Sequence, residues 1–435
     1  MSGWNRRSVA VLGVPFDNVT MHEAMELIEE KIDEEGFHQV ATANVDFVIH
    51  AMGDQVLQEV LCSCDLIVPD GMPIVWASRL MGCRLKERVS GIDMVPRLAE
   101  LAARRGWGMF LLGASELSSR AAAEVLKRRF PKLRIVGRYC PPVADLADMD
   151  HEEILGRIER AEPHILLVAM GHPKQEQWLA MHRDRLRVPL CMGVGASLDF
   201  LAGAVSRAPL WMQRTGLEWL YRAAQEPQRL AQRYVADAFG LARHLPAQFA
   251  ANAIQPRKPS NAAIQAERFA TSSVITVAGD LNPPMLTDLE EHLGRAQYED
   301  CDIILDLSET AYFGLDSVAL LVHLAKVMKR QNRHFWLAGV PAHIRRVFRA
   351  ARMNHYFVSV PSVRDALYRI RKSENRLLAQ SATLTYDPST RDRHVQVEIL
   401  KDFCRRIVHL SQKVRASKNA GARELRRHPN AHKPA

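Results

Sequence analysis

Residues 163–179 read PHILLVAMGHPKQEQWL. An apolar run over 165–170 stops at Gly171, a short polar segment containing Pro173 follows, and from Lys174 onward the spacing becomes helical. Strand, tight turn and helix in that order form the repeating unit of a parallel α/β sheet. The same alternation extends to both sides. VAVLGVPF, HQVATAN, LIVPDG, GMFLLGAS, LRIVGRY and LCMGVGASLDF read as strands. MHEAMELIEEKIDEE, DMVPRLAELAARRG, ELSSRAAAEVLKRRF and HEEILGRIERA read as helices between them. Residues 1–250 are therefore expected to form one α/β domain around a parallel sheet. Residues 251–270, ANAIQPRKPSNAAIQAERFA, are small, polar and proline-bearing, as in a linker. Residues 271–375 carry a second, smaller α/β pattern. Residues 376–435 are polar and then basic, and are expected to be a flexible tail.

The chain has 435 residues, a net charge of +9 and a pI near 9.3. That balance favours anionic partners such as nucleotides or an acidic membrane surface. Its seven cysteines show no CxxC repeat and no zinc spacing, so reduced thiols in a cytoplasmic protein are expected. The start, MSGWNRRSVAVLGVPF, carries no signal-peptide core, and no apolar run approaches the ~20 residues of a membrane span.

Ligands of an open parallel sheet gather beyond the C-terminal ends of its strands. Those ends read TANVD (42–46), PDGMP (69–73), LLGAS (111–115), MGHPKQEQW (170–178) and MGVGASLDF (192–200). Each glycine could serve only a turn. Five such ends on one rim point to a binding site where backbone N–H groups approach a phosphate. No GxxxxGK[ST] loop is present, and Gly193 and Gly195 lack the third glycine of a dinucleotide fingerprint, so a nucleoside diphosphate is the expected ligand. Asp70, between Pro69 and Gly71, either caps the next helix or acts as a general base. Thr42 and Asn44 either cap a turn or orient a sugar. The DMD string at 148–150 sits ahead of a helix and reads as an N-terminal cap rather than a metal ligand.

TANVDF, DLIVPDGMPIVW, RVSGIDMV, FLLGAS, MGHPKQEQW, GVGASLDFLAG, SRAP and RTGLEWLYRAAQEPQRLAQRY resemble, in order and spacing, the WecG/TagA/CpsF glycosyltransferase family over roughly residues 8–245. The resemblance implies a Rossmann-like domain that transfers a sugar, of N-acetylmannosamine type, from a UDP-sugar to a polyprenyl-diphosphate-linked acceptor in cell-surface polysaccharide biosynthesis. It implies inversion at the anomeric carbon and neither metal nor cofactor. It places the catalytic groups at Asp70 and Thr42. Substrate binding falls to Asn44, Gly71, Gly113, Gly171, Gln175, Glu176, Gly195 and Asp199, and to Arg207, Arg214, Arg222, Arg229 and Arg233. In the family this arginine-rich appendage completes the site near the membrane, so a peripheral position at the inner face of the cell membrane is expected. The family's glycine-rich segment continues with a glycine and a Phe-Asp pair; here Ala196, Ser197 and Leu198 precede Asp199.

The second block, with SSVITVAGDL, DIILDLSETAYFGLDSVALLVHLAKVMKRQ and RHFWLAGVPAHIRRVFRAARM, resembles a STAS domain, the fold of anti-sigma-factor antagonists. Asp306, Ser308, Asp316 and Ser317 match its signature, and Ala319 stands in place of a glycine. The resemblance implies regulation or docking through a protein partner or kinase, with Ser317 as the candidate phosphosite. The alternative to an enzyme is a non-catalytic signalling adaptor with a degenerate transferase domain. The basic tail carries no recognition-helix pattern, so nucleic acid is not an expected partner.

Overall fold

The computed structural model describes residues 8–372, apart from 35, 226, 256–262, 270–271, 282 and 299–300. A hairpin of β1 (Ser8–Val11) and β2 (Val14–Asp17) precedes α1 (Met21–Asp33), β3 (His38–Ala43), α2 (Val45–Gly53), α3 (Gln55–Ser63), β4 (Leu66–Pro69) and α4 (Met72–Leu80). Then come α5 (Gly91–Arg105), β5 (Gly108–Gly113), α6 (Glu116–Arg129), β6 (Arg134–Tyr139), α7 (His151–Ala161), β7 (Ile165–Ala169), α8 (Lys174–Met181), β8 (Leu190–Gly193) and α9 (Ser197–Leu201). The appendage holds α10 (Leu210–Thr215), α11 (Glu218–Gln225) and α12 (Gln232–Ala253).

The main sheet has six parallel strands in the order β4-β3-β8-β7-β5-β6. All its strands but the edge strand β6 are buried, because helices cover both faces. Strand β7 is buried at every residue. The chain builds β3 and β4 on one side and then crosses to β5, so the order reverses within the sheet and a crevice opens at the strand ends. The DMD string ends at Asp150, which accepts from the Glu153 N–H and caps α7, as its position predicts.

VAVLGVPF does not join that sheet. It folds on itself as β1 and β2, turning through Leu12 (φ 46°) and Gly13 (φ 97°). A Cβ at Gly13 would meet the Gln58 side chain at 2.3 Å, so the turn needs glycine. The hairpin's Val9, Val11 and Phe16 are buried in a core shared with the C-terminal block.

That block runs β9 (Ala263–Phe269), β10 (Ser272–Leu281), α13 (Pro283–Tyr298), β11 (Asp302–Asp306), β12 (Thr310–Phe313), α14 (Leu315–Arg330), β13 (Phe335–Ala338), α15 (Ala342–Ala350) and β14 (Val358–Val360). Its sheet order is β12-β10-β11-β13-β14, with β9 antiparallel on β10. The segment 251–270 thus holds the end of α12 and an edge strand, not only a linker. The described residues of the two blocks share one hydrophobic core, in which Leu57, Leu61, Ile74 and Met81 join Val318, Leu321, Leu324 and Phe348. Polar ties close it. Arg330 forks onto Asp65 at 2.6 and 3.1 Å, Lys326 donates to the Cys64 carbonyl at 2.7 Å, and Gln255 brackets Phe313 with two 2.9 Å bonds. Against the desolvation of burial, His38, Arg330 and Lys326 hold the Asp65 carboxyl well below its usual range. The second block thus completes the first block's core. The region 376–435 lies outside the described residues.

Candidate active site

Four neighbouring strands, β4, β3, β8 and β7, end on one cleft of about 480 Å³, within the usual size of a small-molecule site. Thr42 and Asn44 reach it from β3, Asp70 and Gly71 from β4, Gly171 and Gln175 from β7, and Gly195 from β8; α11 and α12 close it with Arg222 and Arg233. The order reversal explains the convergence, since strands distant in sequence become adjacent exactly where their loops leave the sheet.

Asp70 does not cap α4. The N-cap is Gly71, with no side-chain bond to the helix, and Asp70 Oδ2 instead accepts from the Gly91 N–H at 3.4 Å. Burial pushes the Asp70 carboxyl up to about 6, while Arg88, the Gly91 N–H and Arg222 pull it back down. A carboxyl in this range is ionised at neutral pH yet basic enough to take a proton. Thr42 is buried, and Gly91 lies so close that a Cβ there would sit 3.1 Å from its hydroxyl oxygen. Asn44 caps α2 by accepting from the Phe47 N–H at 3.4 Å, and it also lines the cleft.

The loop between β7 and α8 is mostly a structural tie. Gln175 Oε1 accepts from the Gly195 N–H at 3.1 Å and its amide donates to Glu176 at 2.7 Å, pinning the β7 and β8 loops together. Trp178 is fully buried and donates to His151 at 3.2 Å. Glu176 is buried beneath the cleft rather than in its wall, and it holds His172 at 3.0 Å.

Other expected groups lie elsewhere. Gly113 serves a close crossing, where a Cβ would meet the Ala169 carbonyl at 2.5 Å. Asp199 is outside the cleft lining, where Ser197 and Phe200 stand instead. Arg207 lines a separate depression beside Asp93, which it grips at 2.7 and 2.8 Å. It shares Glu218 with Arg88, which sits at 2.7 Å from that carboxylate. Arg207 thus braces the appendage rather than facing the cleft. The side chains of Arg214 and Arg229 fall outside the described ones. Arg222 lies over the Phe200 ring at 5.1 Å with its Nε unpartnered, leaving donors for an anion.

Sequence reasoning passed over Arg88, Ser90, Phe47, Trp76 and Asp237, all in the cleft wall. Arg88 sits in RVSGIDMV, one of the stretches that carry the family resemblance; an arginine just before a helix start is the available signal. Ser317 is fully buried at the first turn of α14, with its Oγ unpartnered. Cys83 of the first domain lies beside it, its thiol pushed up to about 11 by burial. In this conformation a kinase has no access to the Ser317 hydroxyl.

A family profile described as "Glycosyl transferase WecG/TagA/CpsF family" matches residues 9–253. The chain belongs to that family. The transferase is 32% identical over 228 residues, 52% of this chain and 88% of the other, to an N-acetylglucosaminyldiphosphoundecaprenol N-acetyl-beta-D-mannosaminyltransferase of Staphylococcus aureus strain MRSA252. The protein of that name from strain MW2 matches to the same extent. A profile described as "Mlab, STAS domain" matches residues 264–361, so the transferase carries a STAS domain. Among solved structures, an anti-sigma factor antagonist from Mycobacterium paratuberculosis aligns at 23% identity, covering 26% of this chain and 97% of that one, with a TM-score of 0.24. The unphosphorylated anti-sigma factor antagonist SpoIIAA aligns at 17% identity, 25% and 97% coverage, and a TM-score of 0.24. No helix among the described residues is long and apolar enough to cross a membrane.

Proposed function

We propose that this glycosyltransferase moves an N-acetylmannosamine-type sugar from a UDP-sugar to a polyprenyl-diphosphate-linked acceptor sugar, inverting the anomeric centre, during synthesis of a cell-surface polysaccharide. The observation that carries the reading is Asp70: a carboxylate at the end of β4 in the cleft, raised toward neutrality by burial and flanked by Arg88 and Arg222. The acceptor hydroxyl attacks the anomeric carbon and its proton passes to Asp70. The bond from that carbon to the β-phosphate oxygen breaks, and UDP leaves with the electron pair. Its charge is met by Arg222 and Arg233 and by the uncapped N-terminus of α4, so the transfer needs no metal ion. Thr42 and Asn44 orient the sugar.

The acceptor class rests on the relatives, whose names specify a diphosphoundecaprenol-linked N-acetylglucosamine. Exposed Leu210, Trp211, Trp219, Leu220, Val235 and Phe239 on the appendage fit a protein that reaches a lipid-linked substrate from the inner face of the membrane. The STAS domain acts in regulation or docking. The adaptor alternative has no observation in its favour, since the cleft keeps its carboxylate and its arginines. A panel of UDP-sugars with a soluble polyprenyl-diphosphate-GlcNAc analogue, followed by UDP release and product mass, tests the proposal. UDP-N-acetylmannosamine should be the best donor, and absence of transfer from every UDP-sugar would overturn it.

A further inference from the structure

Asp46 and His172 line the cleft with His50 beside them, and none of the three has a part in the transfer just described. Asp46 and His50 stand four residues apart on one face of α2, and His172 comes from the loop after β7. One ligating atom from each lies within 4.8 Å of the other two. The pair on a helix face at i and i+4, with a third ligand from a distant loop, is a spacing that metal sites use.

Three further observations separate this cluster from an ordinary surface ion pair. The His172 ring is 7% exposed, and its Nε2 is buried without a partner. Its other nitrogen faces the Glu176 carboxylate at 3.0 Å, and Glu176 is itself 1% exposed. A carboxylate behind a histidine fixes the tautomer that turns a bare nitrogen outward, as behind metal-bound histidines. Asp46 Oδ1 is likewise buried and accepts no hydrogen bond, although His50 Nδ1 is 3.3 Å away, because that nitrogen faces the Asp46 carbonyl at 2.8 Å. Phe47 stacks on His172 at 3.6 Å and holds its plane, while the His50 ring meets it edge-on at 5.5 Å. Asp237 lines the same cleft beside Asp46, and Arg233 stands 3.8 Å from Asp46 Oδ2.

We propose that Asp46, His50 and His172 form an open three-ligand site for a divalent transition-metal ion, Zn²⁺ by its donor set, with Glu176 orienting His172. Two imidazoles and one carboxylate suit Zn²⁺ rather than Mg²⁺ or Ca²⁺, which prefer oxygen. Small side-chain rotations bring the three atoms to bonds of about 2.0–2.2 Å, and His50 exchanges its carbonyl contact for the ion. The fourth position is left for water. This goes beyond the transferase reading, in which no ion takes part.

The test uses untagged full-length protein, stripped with EDTA and titrated calorimetrically with Zn²⁺, with Co²⁺ as an optical probe. One Zn²⁺ per chain is expected, together with a Co²⁺ visible spectrum of tetrahedral intensity. Glu176→Gln should weaken Zn²⁺ binding ~10–100-fold, and His172→Ala and His50→Ala should weaken it more. His50 is half exposed, so its variant keeps the fold, and a surface control, His22→Ala, should bind as wild type does. No binding by wild type, undiminished binding by His50→Ala, or loss on His22→Ala would overturn the site. None of these readings depends on sugar transfer, so they fail or stand apart from the proposed reaction.

Discussion

Replacing Asp70 by asparagine removes the proposed base while leaving its volume. Loss of a general base typically slows turnover ~10²–10⁴-fold, or about 3–5 kcal/mol of transition-state stabilisation. The fold should tolerate the change. Asp70 makes one long bond to the Gly91 N–H, and its carboxyl is raised to about 6. A carboxyl raised on folding costs stability once it ionises; that cost is absent below its unfolded pKa and fully present above 6. A neutral amide escapes it, so the melting temperature at pH 7.5 should hold or rise. The same shift sets the pH profile. The base is lost as pH falls through about 6, so kcat/KM should drop ~10-fold for each further unit below. Arg88 is the strongest of the groups pulling that carboxyl down, so Arg88→Gln should move the acid limb to higher pH. The assay is UDP release with UDP-N-acetylmannosamine and the soluble acceptor analogue between pH 5 and 8. Turnover by Asp70→Asn within a few-fold of wild type would refute the reasoning, as would an acid limb that stays in place in Arg88→Gln.

Arg222→Ala should lower transfer strongly in EDTA-treated protein that is otherwise active; if chelation alone stops transfer and an added metal restores it, the arginines are not the electrophile. Arg330→Ala strips Asp65 of its forked partner and should lower unfolding stability by about 1–3 kcal/mol, less than a fully buried pair because Arg330 is partly exposed; denaturant titration checks it. Ser317→Glu buries a charge in the shared core and should lower the melting temperature sharply, whereas Ser317→Ala, which loses only an unpartnered hydroxyl, should not. Anionic vesicles should bind the protein more weakly as salt rises, and equal binding to neutral vesicles in a flotation assay would remove the electrostatic share.

The sequence by itself determined the kind of fold and the rim of the site. Strand-turn-helix periodicity is local, and glycines with polar residues at the ends of apolar runs mark where a parallel sheet binds its ligands. Thr42, Asn44, Asp70, Gly171, Gln175 and Gly195 therefore came out together. Local periodicity says nothing of which strands become neighbours. It placed VAVLGVPF in the main sheet, where the structure folds it back as a hairpin against the C-terminal domain. It separated the two domains at a polar stretch, although Arg330 and Asp65, 265 positions apart, meet across a common core. It could not tell Arg222, which faces the cleft, from Arg207, which braces Asp93, because both are arginines on short polar segments. Nor could it bring His172 to Asp46 and His50. Partners for charge and burial are chosen by long-range packing, and only the tertiary structure decides them.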